Sequence, residues 1–228
     1  MATELCLHVP PQSGQYGQAT VIIIPPLFDE ANRMRRTLIL TMHALAALGH
    51  HSLLPDLPGQ NDSLMDTTDA TLDRWRSALA EVAASNPAPQ IVASWRGGAL
   101  IDDAASGAIG WWRMAPQSGA SIVKTLMRTR IAGDKAAGRT TTIDQLQAMA
   151  RDGALELAGN RLNAAMITGL EGAHPAAVTP LRAVQTGDGD GRITGTALWL
   201  RAEPGEDAAM ALAMANDISD WARICAAG

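Results

Sequence analysis

Residues 90–100 constrain this chain more than any other stretch. The run Gln90-Ile91-Val92-Ala93-Ser94-Trp95 is apolar enough for a buried strand and passes without a spacer into Arg96-Gly97-Gly98-Ala99-Leu100. That pattern reads as a strand, a sharp turn and the start of a helix. Paired glycines let the turn be tight and let other backbone approach it closely. The residue at its apex is Arg96. A guanidinium keeps its proton at ordinary pH, so it attacks no carbonyl and abstracts no proton.

The elements around this turn alternate. Ala19 to Ile24 is a β-branched run closed by Pro25-Pro26, which predicts a strand buried on both faces. Asn32 to Leu48 carries apolar positions at helical spacing and stops at Gly49, a helix-ending glycine. A strand follows at His51 to Leu54, then a helix over about Ala70 to Ala84, the strand of the turn, and a helix from Gly97 to about Ala105. Ile109 to Met114 and Thr196 to Arg201 are further strand candidates, and Asp207 to Cys225 is an amphipathic helix. Short apolar strands separated by helices predict a mainly parallel sheet flanked by helices. With 228 residues, 47% of them hydrophobic, the chain is read as a single α/β domain over 1–228.

Between the last two strand candidates the pattern turns helical. Ser118 to Ile131 and Thr142 to Arg151 are helix candidates, the second opening on a possible Thr142–Gln145 capping box. Residues 117 to about 175 are therefore expected to form a small helical cap over the C-terminal edge of the sheet, where ligands bind in open α/β folds.

Other classes are disfavoured. The net charge is −5 and the 18 Lys and Arg are dispersed, which argues against nucleic acid or an anionic membrane surface as the main partner. The start lacks a basic segment followed by an apolar one, and no apolar run approaches about 20 residues, so neither a secretory signal nor a membrane span is expected. Cys6 and Cys225 form no disulfide framework, and the five histidines show no metal-ligand spacing. A cytoplasmic protein without metal or cofactor is the expectation. Gly187-Asp188-Gly189-Asp190-Gly191 has the alternating aspartates of a calcium loop, without its downstream glutamate, and is read as a plain loop.

Three segments resemble, in order and register, the site loops of α/β-hydrolases. Residues 94–98 occupy the place of the G-x-S-x-G nucleophile elbow. Ile24 to Asn32 sits where the oxyanion loop would be, and Asp56-Leu57-Pro58-Gly59-Gln60-Asn61-Asp62-Ser63 is similar to the D-x-P-G-x-G-D-S loop of these proteins. The chain also resembles a narrower family, the exosortase A system-associated hydrolases of the second type. The matching stretches are Pro25 to Arg36, Asp56 to Ser63, Ser94 to Leu100, Trp112 to Arg130 and Leu155 to Leu162. That resemblance implies an α/β-hydrolase fold, a setting in exopolysaccharide production or exosortase-linked sorting, and an apex arginine that belongs to the family pattern.

The likeness to α/β-hydrolases implies the oxyanion donors, and the chemistry of the residues themselves suggests the other roles. The backbone N–H of Leu27 or Phe28 and that of Gly97 would be the oxyanion donors. Arg96 would offer its fork to a ligand carboxylate or phosphate, or else pair with Asp29, Glu30 or Asp56. Trp95 would wall a pocket or pack in the core. The methionines Met114, Met127, Met149 and Met166 would pack, or line an apolar pocket for an acyl ligand.

A hydrolase triad also needs an acid after a late strand and a histidine beyond it. Glu203, Glu206 and Asp207 follow the 196–201 strand candidate, but no histidine lies beyond His174. The terminal strand and its histidine loop read as missing, so the C-terminal part of the fold is expected to be shortened. Ser94 is a possible nucleophile without a base in reach; Ser63 and Ser118 read as turn or capping residues and His174 as a loop histidine. Three functions remain open: a degenerate hydrolase binding a small anionic or acyl ligand through Arg96, Leu27, Phe28, Gly97, Trp95 and Glu30; an ester or thioester hydrolase with an unrecognised nucleophile; or a scaffold with a protein partner or a second copy of itself.

Overall fold

The computed structural model describes residues 4–12 and 19–228, so Met1 to Thr3, part of the stretch read for a signal, lie outside it. The elements are β1 (Cys6–Val9), β2 (Thr20–Ile24), α1 (Asp29–Ala47), β3 (Ser52–Pro55), α2 (Leu72–Ala84), β4 (Gln90–Trp95) and β5 (Gly110–Met114). They continue with α3 (Gly119–Ala136), α4 (Ile143–Asp152), β6 (Leu155–Leu157), β7 (Asn160–Leu162), α5 (Ala164–Gly172), β8 (Leu181–Thr186), β9 (Arg192–Ile193) and α6 (Ala208–Ala227).

Seven strands form one sheet in the order β1-β3-β2-β4-β5-β8-β9, and β6 with β7 makes a separate hairpin. Only β1 runs antiparallel to its neighbour; the other pairs are parallel. Apart from β8 and β9, whose pairing is two residues long, the parallel neighbours are reached through crossover connections, and those crossovers cover both faces of the sheet. Strand alternation divides the core accordingly. Val21, Ile23, Ala93, Trp95, Trp112 and Met114 pack beneath α1 and α6, while Ile22, Ile24, Val92 and Trp111 pack with α2 and the segment between β5 and β8. That segment, 117–175 by the sequence reading, holds α3, α4, the β6–β7 hairpin and α5, and the Thr142–Gln145 capping box is formed at the start of α4.

Two expectations are corrected. Gly97 to Ala105 is not a helix but two successive 3-10 turns, 96–100 and 102–104. Gly97 and Gly98 favour helix poorly, and the Asp102 side chain is drawn inward to Arg113, which ends the first turn. Thr196 to Arg201 is not a strand either; its centre is a 3-10 turn at Leu198–Leu200. Its apolar residues Leu198 and Trp199 are buried as a plug against α1 rather than as a sheet face. The late strands are β8 and β9, whose polar residues suit a sheet margin and gave no apolar run to read. The terminal strand is thus present, cut to two residues, and the 187–191 loop is the tight link between β8 and β9.

Because β2, β4, β5, β8 and β9 are parallel, their C-terminal ends share one edge. The oxyanion-loop segment, the elbow, Gln117 and the 198–200 turn all meet there.

Candidate functional site

The turn after β4 has the geometry of an elbow. Arg96 sits at φ +54°, in the left-handed region, where a non-glycine residue costs roughly 1–2 kcal/mol. Its surroundings hold it there. A Cβ added to Gly98 would lie 2.6 Å from the Pro25 carbonyl oxygen, and one added to Gly97 would lie 2.6 Å from Ile122 Cδ1 and 3.0 Å from Leu27 Cγ. Only glycines let the ends of β2 and β4 come this close. Strained backbone of this kind persists where packing over-determines it, and here it presents the apex side chain at the top of the sheet.

Of the three carboxylates proposed for Arg96, the structure selects Glu30. Arg96 Nε donates to Glu30 Oε2 at 3.1 Å and Nη2 to Glu30 Oε1 at 3.2 Å, a bidentate pair. Nη2 also donates to Gln117 Oε1 at 2.5 Å and Nη1 to the Ala115 carbonyl at 3.2 Å. The guanidinium carbon stands 5.0 Å from the centre of the Trp199 ring, within cation–π range. Arg96 and Glu30 are 17% and 16% exposed, so the pair is shielded but not sealed. Asp29 faces Arg33 and Asn160 instead, and Asp56 faces Arg35 and Asn61. Arg96 therefore ties the end of β4 to the first turn of α1, the end of β5 and the 198–200 turn.

The backbone donors have a different status. Among the described residues, the amides of Leu27, Phe28 and Gly97 donate to no acceptor. Phe28, at φ +58°, is the N-cap of α1 and gives it no side-chain cap, so the amides opening that helix stay available. Trp95, by contrast, is fully buried on the α1–α6 side of the sheet, tilted against Trp112 with ring centres 5.1 Å apart and its N–H on Met214 Sδ. It is a core residue, because strand alternation turns it away from the face where Ser94 points.

Among the described residues, no histidine is a hydrogen-bond partner of the elbow. Trp199, in the loop that leads from β9 to α6, faces Arg96 from the quarter where the triad histidine would come. His174 is exposed in the segment between α5 and β8. Glu206 pairs with Arg36 at 2.8 Å, Asp207 caps α6 by accepting from the Met210 amide at 2.9 Å, and Glu203 is exposed. Ser63 accepts from the Gly59 and Met65 amides, and Ser118 caps α3. Met114, Met127 and Met166 are buried in the core, whereas Met149 is 48% exposed.

Beneath the elbow lies a cluster the sequence reading did not assemble. Ser94 Oγ donates to Asp102 Oδ2 at 2.7 Å, and Arg113 grips both Asp102 oxygens at 2.7 Å. Arg113 also reaches the Ala176 carbonyl at 2.8 Å. Burial pushes the Asp102 carboxyl above the usual carboxylate range, against the opposing pull of Arg113 and Ser94. Ser94 is fully buried in this cluster, its hydroxyl donated to Asp102. A sign was available: Arg113 interrupts an apolar strand, and a charge there is buried only when paired.

Two cavities flank Leu27 and Phe28. One, about 150 Å³, lies between Leu27, Phe28, the α3 residues Ile122 and Leu126, and the Trp199–Leu200 turn, with Glu30 and Gln117 on its wall. The other, about 220 Å³, opens toward Asn61 and Asn160.

No protein-family profile matches the sequence, and no curated protein matches it. Solved structures do. The chain is similar to alpha/beta hydrolase domain-containing protein 10 from mouse, with a TM-score of 0.61 at 13% identity over 96% of this chain and 93% of that one. It is similar to Est1E from Butyrivibrio proteoclasticus, with a TM-score of 0.56 at 13% identity over 98% and 94% of the two chains. A thermophilic esterase from Thermogutta terrifontis matches with a TM-score of 0.56 at 12% identity over 97% and 93%. At these identities the likeness is one of fold. The chain has the α/β-hydrolase fold, a mostly parallel seven-stranded sheet flanked by helices. Among the described residues, no helix is long and apolar enough to cross a membrane.

Proposed function

We propose that this protein is a non-hydrolytic α/β-hydrolase-fold protein that binds a small acyl-type ligand in the cleft beside Arg96. The observation that carries the reading is the closure of the Arg96 fork on both oxygens of Glu30 at the seat of the nucleophile. A cation at the apex has no lone pair to attack an acyl carbon, and the indole of Trp199 supplies no base.

The ligand chemistry follows from what is left free. The amides of Leu27, Phe28 and Gly97 are unpaired donors suited to a carbonyl oxygen, and Leu27, Phe28, Ile122, Leu126 and Trp199 offer apolar surface for an acyl chain. An anionic headgroup is less well served, since it would compete with Glu30 for Arg96. Gln117 and Glu30 orient the polar end, and residues 117–175 act as the cap. The resemblance to exosortase-associated hydrolases supports a cytoplasmic role in exopolysaccharide production or exosortase-linked sorting.

The test combines chemistry and binding. The pure protein is treated with a fluorophosphonate probe and short p-nitrophenyl esters, then heated with butyramide and octanamide as uncleaved acyl probes. The expected result is no labelling, no turnover and a raised melting temperature with one of the amides, because a ligand of the folded state stabilises it by mass action. Turnover abolished by a single Ser→Ala change would sink the non-hydrolytic reading. Absence of any acyl-dependent stabilisation, with a stable protein partner recovered instead, would favour the scaffold.

A further inference from the structure

The 220 Å³ cavity on the other side of the Leu27–Phe28 wall has a different chemistry from the Arg96 cleft. Its polar side chains are all carboxamides, Asn32, Gln60, Asn61 and Asn160, and no ionisable side chain is among its described lining residues. Phe28 and Trp75, with ring centres 5.6 Å apart, supply apolar surface, and the Trp75 N–H is already spent on the Pro58 carbonyl at 2.8 Å.

Three of the carboxamides are tethered in one sense. Asn61 Nδ2 donates to Asp56 Oδ1 at 2.7 Å, Gln60 Nε2 to the Gly59 carbonyl at 3.1 Å, and Asn160 Nδ2 to Asp29 Oδ1 at 3.2 Å and the Ala158 carbonyl at 3.0 Å. Each amide nitrogen is anchored, and each carbonyl oxygen has no donor among the described residues. The Asn32 side chain makes no hydrogen bond among those residues, so it brings both a donor and an acceptor. The pocket thus presents fixed, uncharged acceptors beside donors.

Backbone strain gathers at the same place. Five of the described non-glycine residues have positive φ; Phe28 and Asn61 line this pocket, and Ala158 belongs to the hairpin turn that carries Asn160. Strain concentrated around a cavity points to a site where position is held for function.

Chemistry narrows the ligand. A hydroxyl both donates and accepts, matching carbonyl oxygens and amide donors alike. A carboxylate or phosphate would meet several carbonyl oxygens and no cation, and an alkyl chain would strand the polar groups unpaired. The volume is below the roughly 300–1,000 Å³ of pockets for drug-sized ligands, which limits the guest to about one ring.

We propose that this carboxamide pocket binds a neutral polyhydroxylated ring, such as one monosaccharide unit, through the side chains of Asn32, Gln60, Asn61 and Asn160. The proposal does not rest on the acyl reading: the two cavities share the Leu27–Phe28 wall, but none of the four carboxamides lines the one beside Glu30 and Gln117.

The experiment titrates the intact protein with glucose, galactose, mannose and N-acetylglucosamine by ligand-observed NMR, with glucuronate and glucose 6-phosphate as charged counterparts. Asn61→Gly removes one carboxamide while keeping the left-handed backbone at φ +48° strain-free, and Asn32→Ala removes another from an exposed helical position. The expected result is saturable binding of at least one neutral sugar, weakened roughly tenfold by each variant, about 1.4 kcal/mol. The unfolding midpoint should stay as in the unaltered protein for Asn32→Ala and fall modestly for Asn61→Gly, which gives up the bond to buried Asp56, and the response to octanamide should stay unchanged in both. Saturable binding of none of the neutral sugars would overturn the proposal, as would affinity indifferent to both variants or tighter binding of the charged sugars.

Discussion

Two arginine–carboxylate pairs stand at the ends of neighbouring strands, and they are built for different purposes. Arg113 and Asp102 are 4% and 0% exposed, locked by two hydrogen bonds of 2.7 Å and a third from Ser94. Arg96 and Glu30 are 17% and 16% exposed and joined at 3.1 and 3.2 Å, and Glu30 lines a cavity. The first pair lies under the elbow and the second on top of it. A fully desolvated pair whose every oxygen is matched serves the fold, since removing one partner strands a charge in the core. A pair at a cavity wall is cheap to separate and close to any ligand. The difference teaches that a charge at a catalytic seat is not by itself a receptor; what counts is whether its partner is already in the protein.

The comparison breaks first at the buried pair. Asp102→Asn leaves Arg113 without a counter-charge and should cost about 3–5 kcal/mol in urea unfolding. A loss below about 1 kcal/mol would show that the cluster is not a staple. Gly98→Ala attacks the frame that both pairs share, because the new Cβ would meet the Pro25 carbonyl at 2.6 Å; a loss of roughly 1–3 kcal/mol is expected from overpacking. Ser94→Ala removes one hydrogen bond to Asp102 and should cost about 1 kcal/mol, with no effect on any ligand-induced melting shift. Arg96→Gly relieves the left-handed strain but gives up the Glu30 pair, the Gln117 and Ala115 hydrogen bonds and the Trp199 contact, so a net stability loss of about 1 kcal/mol, well below that of Asp102→Asn, is expected. Its main effect should fall on ligand binding, and a stability loss as large as that of Asp102→Asn would erase the distinction between the pairs.

Acid titration sharpens the same comparison. His50 is buried, with Nδ1 at 3.0 Å from the Ala19 carbonyl and Nε2 at 3.0 Å from Ser219 Oγ, and burial lowers its pKa below the ordinary 6.5. The unfolded chain then takes up a proton that the folded protein resists. Stability is full above the unfolded pKa and falls as pH drops through it toward the folded one. The melting temperature should therefore decline with acid before the carboxylates titrate, and His50→Gln should flatten that decline. The arginine pairs are best compared above pH ~7, where this contribution is silent.

Much of the fold was legible because its signals are local. The Thr20–Ile24 strand, the helix ending before Gly49, the capping box at Thr142 and the glycines after Arg96 are each read from neighbouring residues whose chemistry demands that conformation. The late strands were not legible. Leu181 to Thr186 has neither an apolar run nor a regular alternation, with only Val184 buried, and Thr196 to Arg201 mimics a strand with apolar residues that serve as a plug. At the site, Glu30 was among the partners foreseen for Arg96, but Gln117, Trp199 and the Asp102–Arg113–Ser94 cluster were not. Their separations in sequence are set by the crossovers of the sheet, which no local pattern records.

The sequence by itself determined that a cation sits at the apex of the turn after a strand and that no histidine lies beyond His174, because residue identity and order need no folding. Only the tertiary structure decided that Arg96 closes on Glu30 and not on Asp29 or Asp56, that Trp95 faces the core, and that four carboxamides from three distant segments line one pocket. Those outcomes depend on which side chains the parallel sheet brings within about 3 Å of one another, the range over which hydrogen bonds act.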